Sequence, residues 1–309
     1  MRRRSLELIE EAMASRSQPA AARMPEEPWM GEGRVVAASG GVPMTVPRLA
    51  SGFHKAGLRP GMTVIVHSSL SALGWVAGGA QAAIQALQQV LTHEGTLVMP
   101  THSTSLTDPE YWRMPSVPES WWEEIRQELP AFDVDATPTC SMGVIPELFR
   151  KLPGVRRSCH PQASFAAWGK HRDRLVENHD LEWGLGERSP LARLYDVNAW
   201  VFLLGVGHRN NTSMHLAEYR AQWPGKSSTL TSAPMLIDGE RRWLTFEDIA
   251  IDSSDFEELG RIFDRVSGVV RTTVVGNATC RLMPQRELVD FAVQWMEENR
   301  PWLRTDSDS

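Results

Sequence analysis

Residues 62–103 read MTVIVHSSLSALGWVAGGAQAAIQALQQVLTHEGTLVMPTHS, and this stretch decides the fold class. The run at 62–69 is apolar and ends in a polar turn, as a buried strand does. The segment 79–95 has apolar residues at helical spacing and a glycine stop, and 96–103 reads as the next strand. A strand, a helix and a second strand within about 40 residues form a βαβ unit, whose strands run parallel. The sequence therefore predicts an α/β fold.

The same alternation continues on both sides of this unit. A helix is expected to start after Thr45, which suits an N-cap, and to end at Gly57. Further strands are expected at 163–168 and 199–206, and a helix begins near Thr212. Together these elements predict a single α/β domain in which helices flank a mostly parallel central sheet, an α/β/α arrangement.

The C-terminal part of the chain continues with both kinds of element. A helix is expected near 143–151, and RRWLTFEDIAID (241–252) is expected to be extended. DFEELGRIFDRV (255–266) has helical spacing, and RTTVVGNATCRLM (271–283) is interpreted as a strand plus a turn. The final segment, PQRELVDFAVQWMEENR (284–300), predicts a helix with one apolar face.

Two regions depart from this pattern. Residues 1–43 are rich in Ala, Pro, Gly and charge, so we expect an N-terminal extension that is partly disordered, ahead of a domain at 44–309. Residues 104–140 form a long insertion that is acidic and rich in tryptophan, with several prolines. Loops of this length inside compact domains are usually functional.

Composition limits the classes of function. The formal net charge is −6, which argues against a nucleic-acid-binding protein. No apolar run reaches the roughly 18 residues of a membrane span. Cys140, Cys159 and Cys280 form no CxxC pair, so neither a disulfide framework nor a structural zinc site is indicated. The N-terminus lacks the apolar stretch of a signal peptide, and we expect a cytoplasmic protein.

Polar residues follow three of the predicted strands. They occur in VHSSLSALG, which contains His67, Ser68 and Ser69, in MPTHSTS, and in GVGHRNNTSMH. Ligands of open α/β sheets bind outside the carboxyl ends of the strands, and hydroxyls with backbone N–H groups bind phosphate. Polar strand ends are also common without any ligand. Neither a P-loop nor a GxGxxG motif occurs in the sequence.

His215 and Glu218 stand out just inside the helix that begins near Thr212. Their i, i+3 spacing puts both side chains on one side of that helix, so either could orient the other. A neutral imidazole can take a proton from an ammonium group. The alternative is a structural histidine bonded to a backbone carbonyl.

Three other chemistries were weighed against this one. A metal site of His208, His215 and Glu218 lacks the HExxH motif. Cys159 and His160 are adjacent, and neighbours in an extended chain point to opposite faces, so they do not form a dyad by adjacency alone. A serine hydrolase would need a GxSxG-like turn, which is absent.

Six segments together resemble one family. They are VHSSLSALGWVAGGAQAAIQAL, GTLVMPTHS, LPGVRRSCHPQASFAAWG, SPLARL, VFLLGVGHRNNTSMHLAE and FEELG. Their order is that of the aminoglycoside 3-N-acetyltransferases, an α/β family distinct from the GNAT acetyltransferases, and the resemblance covers residues 45–298. It implies acetyl-CoA as the donor and the 3-amino group of a 2-deoxystreptamine aminoglycoside as the acceptor, and hence antibiotic resistance.

The resemblance also implies roles for individual residues. His215 matches the family's catalytic histidine and Glu218 the acidic residue after it, while Asp252 is a second candidate for the partner carboxylate. Transfer would be direct, with no metal and no covalent enzyme intermediate. The residues assigned to coenzyme A are His67, Ser68, Ser69, Leu70, Ser103, Arg156, Asn211 and Thr212. Those assigned to the acceptor, from the composition and position of the insertion, are Asp108, Glu110, Tyr111, Trp112, Glu123 and Glu124, together with Glu218.

Several alternatives remain at this point. Arg156 could instead be a solvated surface arginine, and the acidic residues of the insertion could be a solvated face. The same fold and chemistry could act on a different small-molecule amine, or the chain could be a non-catalytic homologue that binds coenzyme A. A homodimer is a candidate assembly.

Overall fold

The computed structural model describes residues 33, 35–37, 39, 41–113 and 115–303, the last three without their side chains. Most of the predicted extension at 1–43 lies outside the described residues, and its disorder stays a prediction. The strands are β1 (Thr63–Ser68), β2 (Thr96–Pro100), β3 (Arg156–Arg157), β4 (Phe165–Gly169), β5 (Trp200–Leu204), β6 (Ser228–Ile237), β7 (Glu240–Ile249), β8 (Arg271–Val275) and β9 (Ala278–Pro284).

Nine α-helices lie between residues 46 and 303 of the described chain. They are α1 (Val46–Ala56), α2 (Gly79–Leu91), α3 (Trp122–Glu128), α4 (Val144–Phe149), α5 (Arg172–Val176), α6 (Pro190–Asp196), α7 (Ser213–Arg220), α8 (Phe256–Val266) and α9 (Gln285–Leu303). None of these helices combines the length and the apolar character that crossing a membrane requires.

The main sheet has the strand order β3-β4-β2-β1-β5-β9-β8. At its centre β1 pairs in parallel with β2 and β5, as the βαβ pattern predicts. Both edges are antiparallel: β4 pairs with β2 on one side and β9 with β5 on the other. Because β3 and β8 each reverse direction again, five of the seven strands described in this sheet run the same way.

Helices cover both faces of the sheet, which confirms the α/β/α arrangement. Val64 and Val66 of β1 face a core built with α1, α2 and α4, whereas Ile65 faces a second core built with α5 to α9. Successive side chains of a strand point to opposite faces, so a strand buried on both sides must be apolar throughout. This is why TVIV at the start of β1 contains no alternation of apolar and polar residues.

The predicted boundaries of α1 are confirmed. Thr45 occupies the N-cap position, although its hydroxyl makes no capping hydrogen bond, and Leu49 and Phe53 are buried on the inner face. Gly57 ends the helix at φ 111°, in the left-handed region, and its N–H donates to the His54 carbonyl. Glycine reaches this conformation without the steric cost that a Cβ would add.

Two features of the C-terminal half differ from the sequence-based interpretation. Residues 271–283 contain two strands, β8 and β9, joined by a tight turn at Gly276, where the sequence predicts one strand plus a turn. The strand β6 was not predicted at all; it pairs with β7 as a separate two-stranded sheet. Half-exposed antiparallel strands carry mixed side chains, so their pattern is weaker than that of β1.

The insertion at 104–140 is partly helical and packs against this hairpin. Leu106 and Phe132 share a small apolar cluster with Met235 of β6. The N–H of Phe132 donates to the Pro234 carbonyl. Arg241 of β7 donates from Nε to the carbonyl of Leu129 and from Nη2 to that of Arg126. The hairpin therefore holds the insertion in place.

A buried histidine pair lies beside β4. The rings of His160 and His179 are 4.7 Å apart. Nδ1 of His160 accepts the N–H groups of Gln162 and Ala163, and its Nε2 lies 3.2 Å from the Leu181 carbonyl. Burial lowers the pKa of His160 to about 4. The adjacent Cys159 is exposed, so the pair Cys159 and His160 considered from the sequence has its imidazole occupied by backbone groups.

This pair predicts acid sensitivity of the fold. The unfolded chain protonates His160 near its ordinary pKa of about 6.5, whereas the folded protein does so only near 4. Between these values the unfolded state binds more protons than the folded state. As the pH is lowered through this range, the free energy of unfolding therefore falls by about 1.4 kcal/mol per pH unit through this one group. The free energy of unfolding is measured in urea for wild type and His160→Gln at pH 7.5, 6.5, 5.5 and 4.5. Its dependence on pH is expected to have a shallower slope in His160→Gln than in wild type.

The matched control for this experiment is His54→Gln, because His54 is exposed at the end of α1. It is expected to keep the wild-type slope. Parallel slopes for wild type and His160→Gln would contradict the assignment of this acid sensitivity to His160.

Candidate active site

The carboxyl ends of β1, β2 and β5 meet at one edge of the sheet, and polar side chains gather there. In β1, His67 and Ser68 lie opposite Leu203 and Leu204 of β5. His102 follows β2, and the turn after β5 leads through Asn211 into α7. This edge is where open α/β sheets bind their ligands.

His215 and Glu218 form a hydrogen-bonded dyad on α7. Nδ1 of His215 and Oε2 of Glu218 are 2.5 Å apart. The His215 side chain is 14% exposed and that of Glu218 is fully buried, so the imidazole alone reaches solvent. The ring of His215 packs against Phe256 of α8, with centroids 4.8 Å apart. The contact expected from the i, i+3 spacing is therefore present.

The second carboxylate oxygen of Glu218 accepts two hydrogen bonds on the side away from His215. Oε1 accepts from Nη1 of Arg300 at 2.7 Å and from the backbone N–H of Asp252 at 2.8 Å. Arg300 in turn donates to both carboxylate oxygens of Asp255, at 2.9 and 3.0 Å. Burial by itself would lower the pKa of Arg300, but Asp255 and Glu218 raise it. Asp252, the other predicted partner of His215, thus contacts Glu218 through its backbone.

Two more imidazoles lie close to the dyad and are neutral. Burial, followed by the charges of His215 and His208, lowers the pKa of His67 to about 3. Burial, followed by the charges of His215 and three other groups, lowers that of His102 to about 3. Within the described chain, several buried polar atoms here have no protein partner: Nε2 of His67, Nε2 of His102, Oγ of Ser68, both amide atoms of Asn211 and Oγ of Ser213.

Such buried, unpartnered groups are costly unless something else bonds to them. Their gathering at one edge of the sheet indicates a site that receives a polar ligand. His208 is bonded on one side only: its Nε2 lies 3.0 Å from Asp264 and its ring fills the space above Gly260, whereas its buried Nδ1 has no protein partner in the described chain. In the described part of the chain, no three His, Cys, Asp or Glu side chains are grouped as ligands for a metal ion.

A groove of about 770 Å³ opens beside the end of β1. It is lined on one side by the predicted residues Ser68, Ser69 and Leu70, and on the other by 141–145 at the start of α4. Oγ of Ser69 lies 3.1 Å from Oγ of Ser71. The lining also includes Gly79, the first residue of α2, and the N-terminus of a helix favours anions.

A second groove, of about 630 Å³, lies at the other end of α7. Its lining includes Tyr219, Trp183 and Glu182. It also contains Asp180 and Glu187, which pair with arginines, and the cations Arg188 and Lys226. Tyr219 donates its hydroxyl to Asp248 at 2.5 Å, and burial raises the pKa of Asp248, with the charge of His215 among the effects that lower it. Trp183 is 37% exposed and has φ 57°, a conformation that costs about 1–3 kcal/mol for a residue with a side chain.

The remaining residues predicted to bind coenzyme A occupy different environments. Thr212 is buried just before α7. Ser103 accepts a hydrogen bond from Nη2 of Arg157 at 2.6 Å. Arg156 lies on the edge strand β3 and is exposed, where it pairs with Asp173 at 2.9 Å and with a second acid. Arg157, rather than Arg156, is the buried arginine, and burial lowers its pKa to about 10.

The acidic residues of the insertion are also placed in more than one environment. Asp108 is mostly buried and makes two hydrogen bonds of 2.8 Å to Arg126. Glu110 and Tyr111 are exposed, and Glu123 accepts from Gln127 at 2.7 Å. The other two predicted residues share a shallow groove of about 420 Å³, whose lining includes Trp112, Trp121, Glu124 and Glu128.

Sequence reasoning missed several residues of this site. Arg300 reads as a solvated cation in the last turn of a helix, and nothing local connects it to Glu218, 82 positions earlier. Trp183 and Tyr219 carry no motif of their own. His102 was visible in MPTHS, where the end of a buried strand was the available signal.

Comparison with known proteins gives a consistent result. A family model described as aminoglycoside 3-N-acetyltransferase matches residues 65–297. An SPbeta prophage-derived aminoglycoside N(3')-acetyltransferase-like protein, YokD, from Bacillus subtilis (strain 168) is 45% identical over 258 residues, which cover 83% of this chain and 94% of that protein. Aminoglycoside N(3)-acetyltransferase VII of Streptomyces paromomycinus is 38% identical over 272 residues, covering 83% and 92%.

The fold agrees with these similarities. The crystal structure of YokD from Bacillus subtilis superimposes with a TM-score of 0.84 at 44% sequence identity, covering 87% of this chain and 98% of that one. Sequence and structure match over nearly the same share of the chain, and the range that the family model matches includes His215 and Glu218. The chain therefore belongs to the aminoglycoside 3-N-acetyltransferase family.

Proposed function

We propose that this acetyltransferase moves the acetyl group of acetyl-CoA directly to the 3-amino group of 2-deoxystreptamine aminoglycosides, with His215 as the general base. One observation carries the proposal. Helix α7 runs between the two grooves: Asn210, just before it, lines the first, and Tyr219, near its end, lines the second. His215 lies between them on the same helix and is the member of the dyad that reaches solvent.

The dyad suits a proton transfer. Glu218 is held by Arg300 and by the backbone of Asp252, so its free oxygen accepts the Nδ1 proton of His215. The lone pair of the imidazole is then on Nε2, which takes a proton from the acceptor's ammonium group. Glu218 stabilises the imidazolium that results, and general base catalysis of this kind contributes about 10²- to 10⁴-fold.

The first groove fits coenzyme A by its chemistry. Acetyl-CoA supplies an activated acetyl group on a long chain that ends in phosphates. Ser69, Ser71 and the start of α2 offer hydroxyl and N–H donors for phosphate, and Trp75 and Ile145 offer apolar surface for the chain. A solved structural neighbour, AAC-IIIb, is a binary complex with CoASH. The unpartnered groups on His67 and Asn211 are suited to donate to the acetyl carbonyl.

The second groove fits the acceptor. An aminoglycoside carries several ammonium groups, which acidic and aromatic side chains bind. Glu182, Trp183 and Tyr219 supply these groups next to the catalytic helix. Another structural neighbour, AAC-VIa, was solved bound to sisomicin. The groove in the insertion, with Trp112 and Glu124, is a second candidate for this role.

The base is tested by His215→Ala. Its kcat is expected to fall at least about 100-fold, because the ammonium then loses its intramolecular proton acceptor. Thiol release from acetyl-CoA with gentamicin as acceptor measures the effect. His54→Ala, at the exposed end of α1, is the matched control and is expected to keep wild-type turnover. Turnover of His215→Ala within a few-fold of wild type would remove His215 from this role.

The assignment of the first groove is tested by Ser69→Ala. A hydrogen bond to a charged group contributes about 1.5–3 kcal/mol, so KM for acetyl-CoA is expected to rise about tenfold or more. KM for the aminoglycoside should stay within about twofold, because the hydroxyl lies in the other groove. Ser51→Ala, on the exposed face of α1, is the control. An increase confined to the KM of the acceptor would reverse the assignment of the two grooves.

The acceptor site is tested by comparing Trp183→Ala with Glu124→Gln. Loss of one desolvated cation–π contact is worth about 2 kcal/mol, so Trp183→Ala is expected to raise KM for gentamicin at least about tenfold. Glu124→Gln is expected to leave it nearly unchanged. The opposite pattern would put the acceptor in the groove of the insertion.

A further inference from the structure

Arg300 lies near the end of α9, three positions beyond the last residue that the family model matches. Its side chain is only 6% exposed, although arginine at the end of a helix usually reaches solvent. Helix α9 packs through Leu288 and Ala292 into the same core as Leu216 of α7. This packing brings the last turns of α9 behind the catalytic dyad.

Hydrogen bonds and one contact with an aromatic ring fix the orientation of the guanidinium of Arg300. Nε and Nη2 bond the two oxygens of Asp255, Nη2 also bonds the Asp252 carbonyl at 2.8 Å, and Nη1 bonds Glu218. Cζ of the guanidinium lies over the ring of Trp223, 4.7 Å from its centroid. A planar group bound on its edges and on one face cannot rotate without breaking several bonds at once.

This arrangement has a direct consequence for Glu218. Its carboxylate is fully buried, and the neighbouring carboxylate of Asp255 is nearly so. Two buried carboxylates on one side of a site repel each other, and a cation between them offsets that repulsion. Arg300 supplies that cation and also fixes which oxygen faces His215.

We infer that Arg300 is a positioning residue for the acetyl transfer: by binding Oε1 of Glu218, it offsets the buried negative charge and directs Oε2 to Nδ1 of His215. It touches neither groove and acts only through Glu218. This inference rests on the proposed role of His215 as the base. A purely structural role, in which Arg300 ties α9 to α7 and to residues 252–255, is the alternative that the experiment must separate.

A double-mutant cycle makes this separation. Arg300→Gln removes the cation and is expected to lower kcat at least about 30-fold, while KM for acetyl-CoA and for gentamicin stays within about threefold. In a His215→Ala background, the same change is expected to lower kcat by less than about threefold, because the base that Arg300 serves is already absent. An equal loss in both backgrounds would overturn the inference and leave a structural role.

The conservative variant Arg300→Lys provides a second measurement and carries the test if Arg300→Gln does not fold. Lysine keeps the charge but lacks the planar fork, so it cannot bind Asp255 in bidentate fashion and reach Glu218 together. Its kcat is expected to fall about 5- to 10-fold, between wild type and Arg300→Gln. Wild-type kcat for a folded Arg300→Lys would show that charge alone is sufficient and would overturn the positioning claim.

The matched control is Arg150→Gln. Arg150 is also buried and also binds one carboxylate through two hydrogen bonds, to Glu147 at 2.9 and 2.8 Å. It is expected to lose stability in thermal unfolding, as Arg300→Gln does, while its kcat per folded molecule stays within about twofold of wild type. A comparable loss of kcat in Arg150→Gln would mean that any lost buried arginine impairs turnover.

A readout without turnover distinguishes failure of this inference from failure of the proposed function. The proton on Nδ1 of His215, held in a short hydrogen bond to Glu218, is expected to give a downfield signal in the proton NMR spectrum of the wild-type protein. The signal is assigned by its loss in His215→Ala. It is expected to shift upfield or vanish in Arg300→Lys and to persist in Arg150→Gln. If His215→Ala retains turnover, the base assignment fails, but this signal still reports whether Arg300 positions Glu218.

Discussion

The site depends on one constraint: the carboxylate of Glu218 is buried completely, and a buried charge must be compensated or lost. Compensation comes from three separate parts of the chain. Arg300 comes from α9, the N–H of Asp252 comes from the segment before α8, and His215 comes from α7 itself. Glu218 thus connects α7, α9 and the segment before α8, and the imidazole that it orients is the member of the dyad that faces outward.

Contacts between residues that are close in sequence could be predicted, whereas contacts between distant segments could not. The βαβ unit at 62–103 and the contact between His215 and Glu218 are local, and both are present. The antiparallel edges of the sheet depend on which distant strand pairs with β2 and β5, and no periodicity records that. Asp108 shows the same limit within the insertion, because the sequence shows its charge but not its pairing with Arg126.

Family membership and geometry answer different questions about this protein. Similarity along the chain identifies an aminoglycoside 3-N-acetyltransferase and makes coenzyme A and a polycationic acceptor the natural ligands to test. The proposed place of each ligand is argued from the geometry. Hydroxyls and a helix start line one groove, whereas acids, two cations and aromatic rings line the other, with α7 running between them. The two substrates would thus approach one imidazole from opposite ends of a short helix.

The way the insertion is attached has a consequence for how this protein can change. Arg241 binds the main-chain carbonyls of Arg126 and Leu129, and the Pro234 carbonyl receives the main-chain N–H of Phe132. These bonds do not depend on which side chains the insertion carries at its surface. Exposed positions such as Tyr111 and Trp121 can therefore be replaced during evolution without loosening the segment from its hairpin. The hairpin thus holds the main chain of the insertion in place while the exposed side chains of the insertion can change.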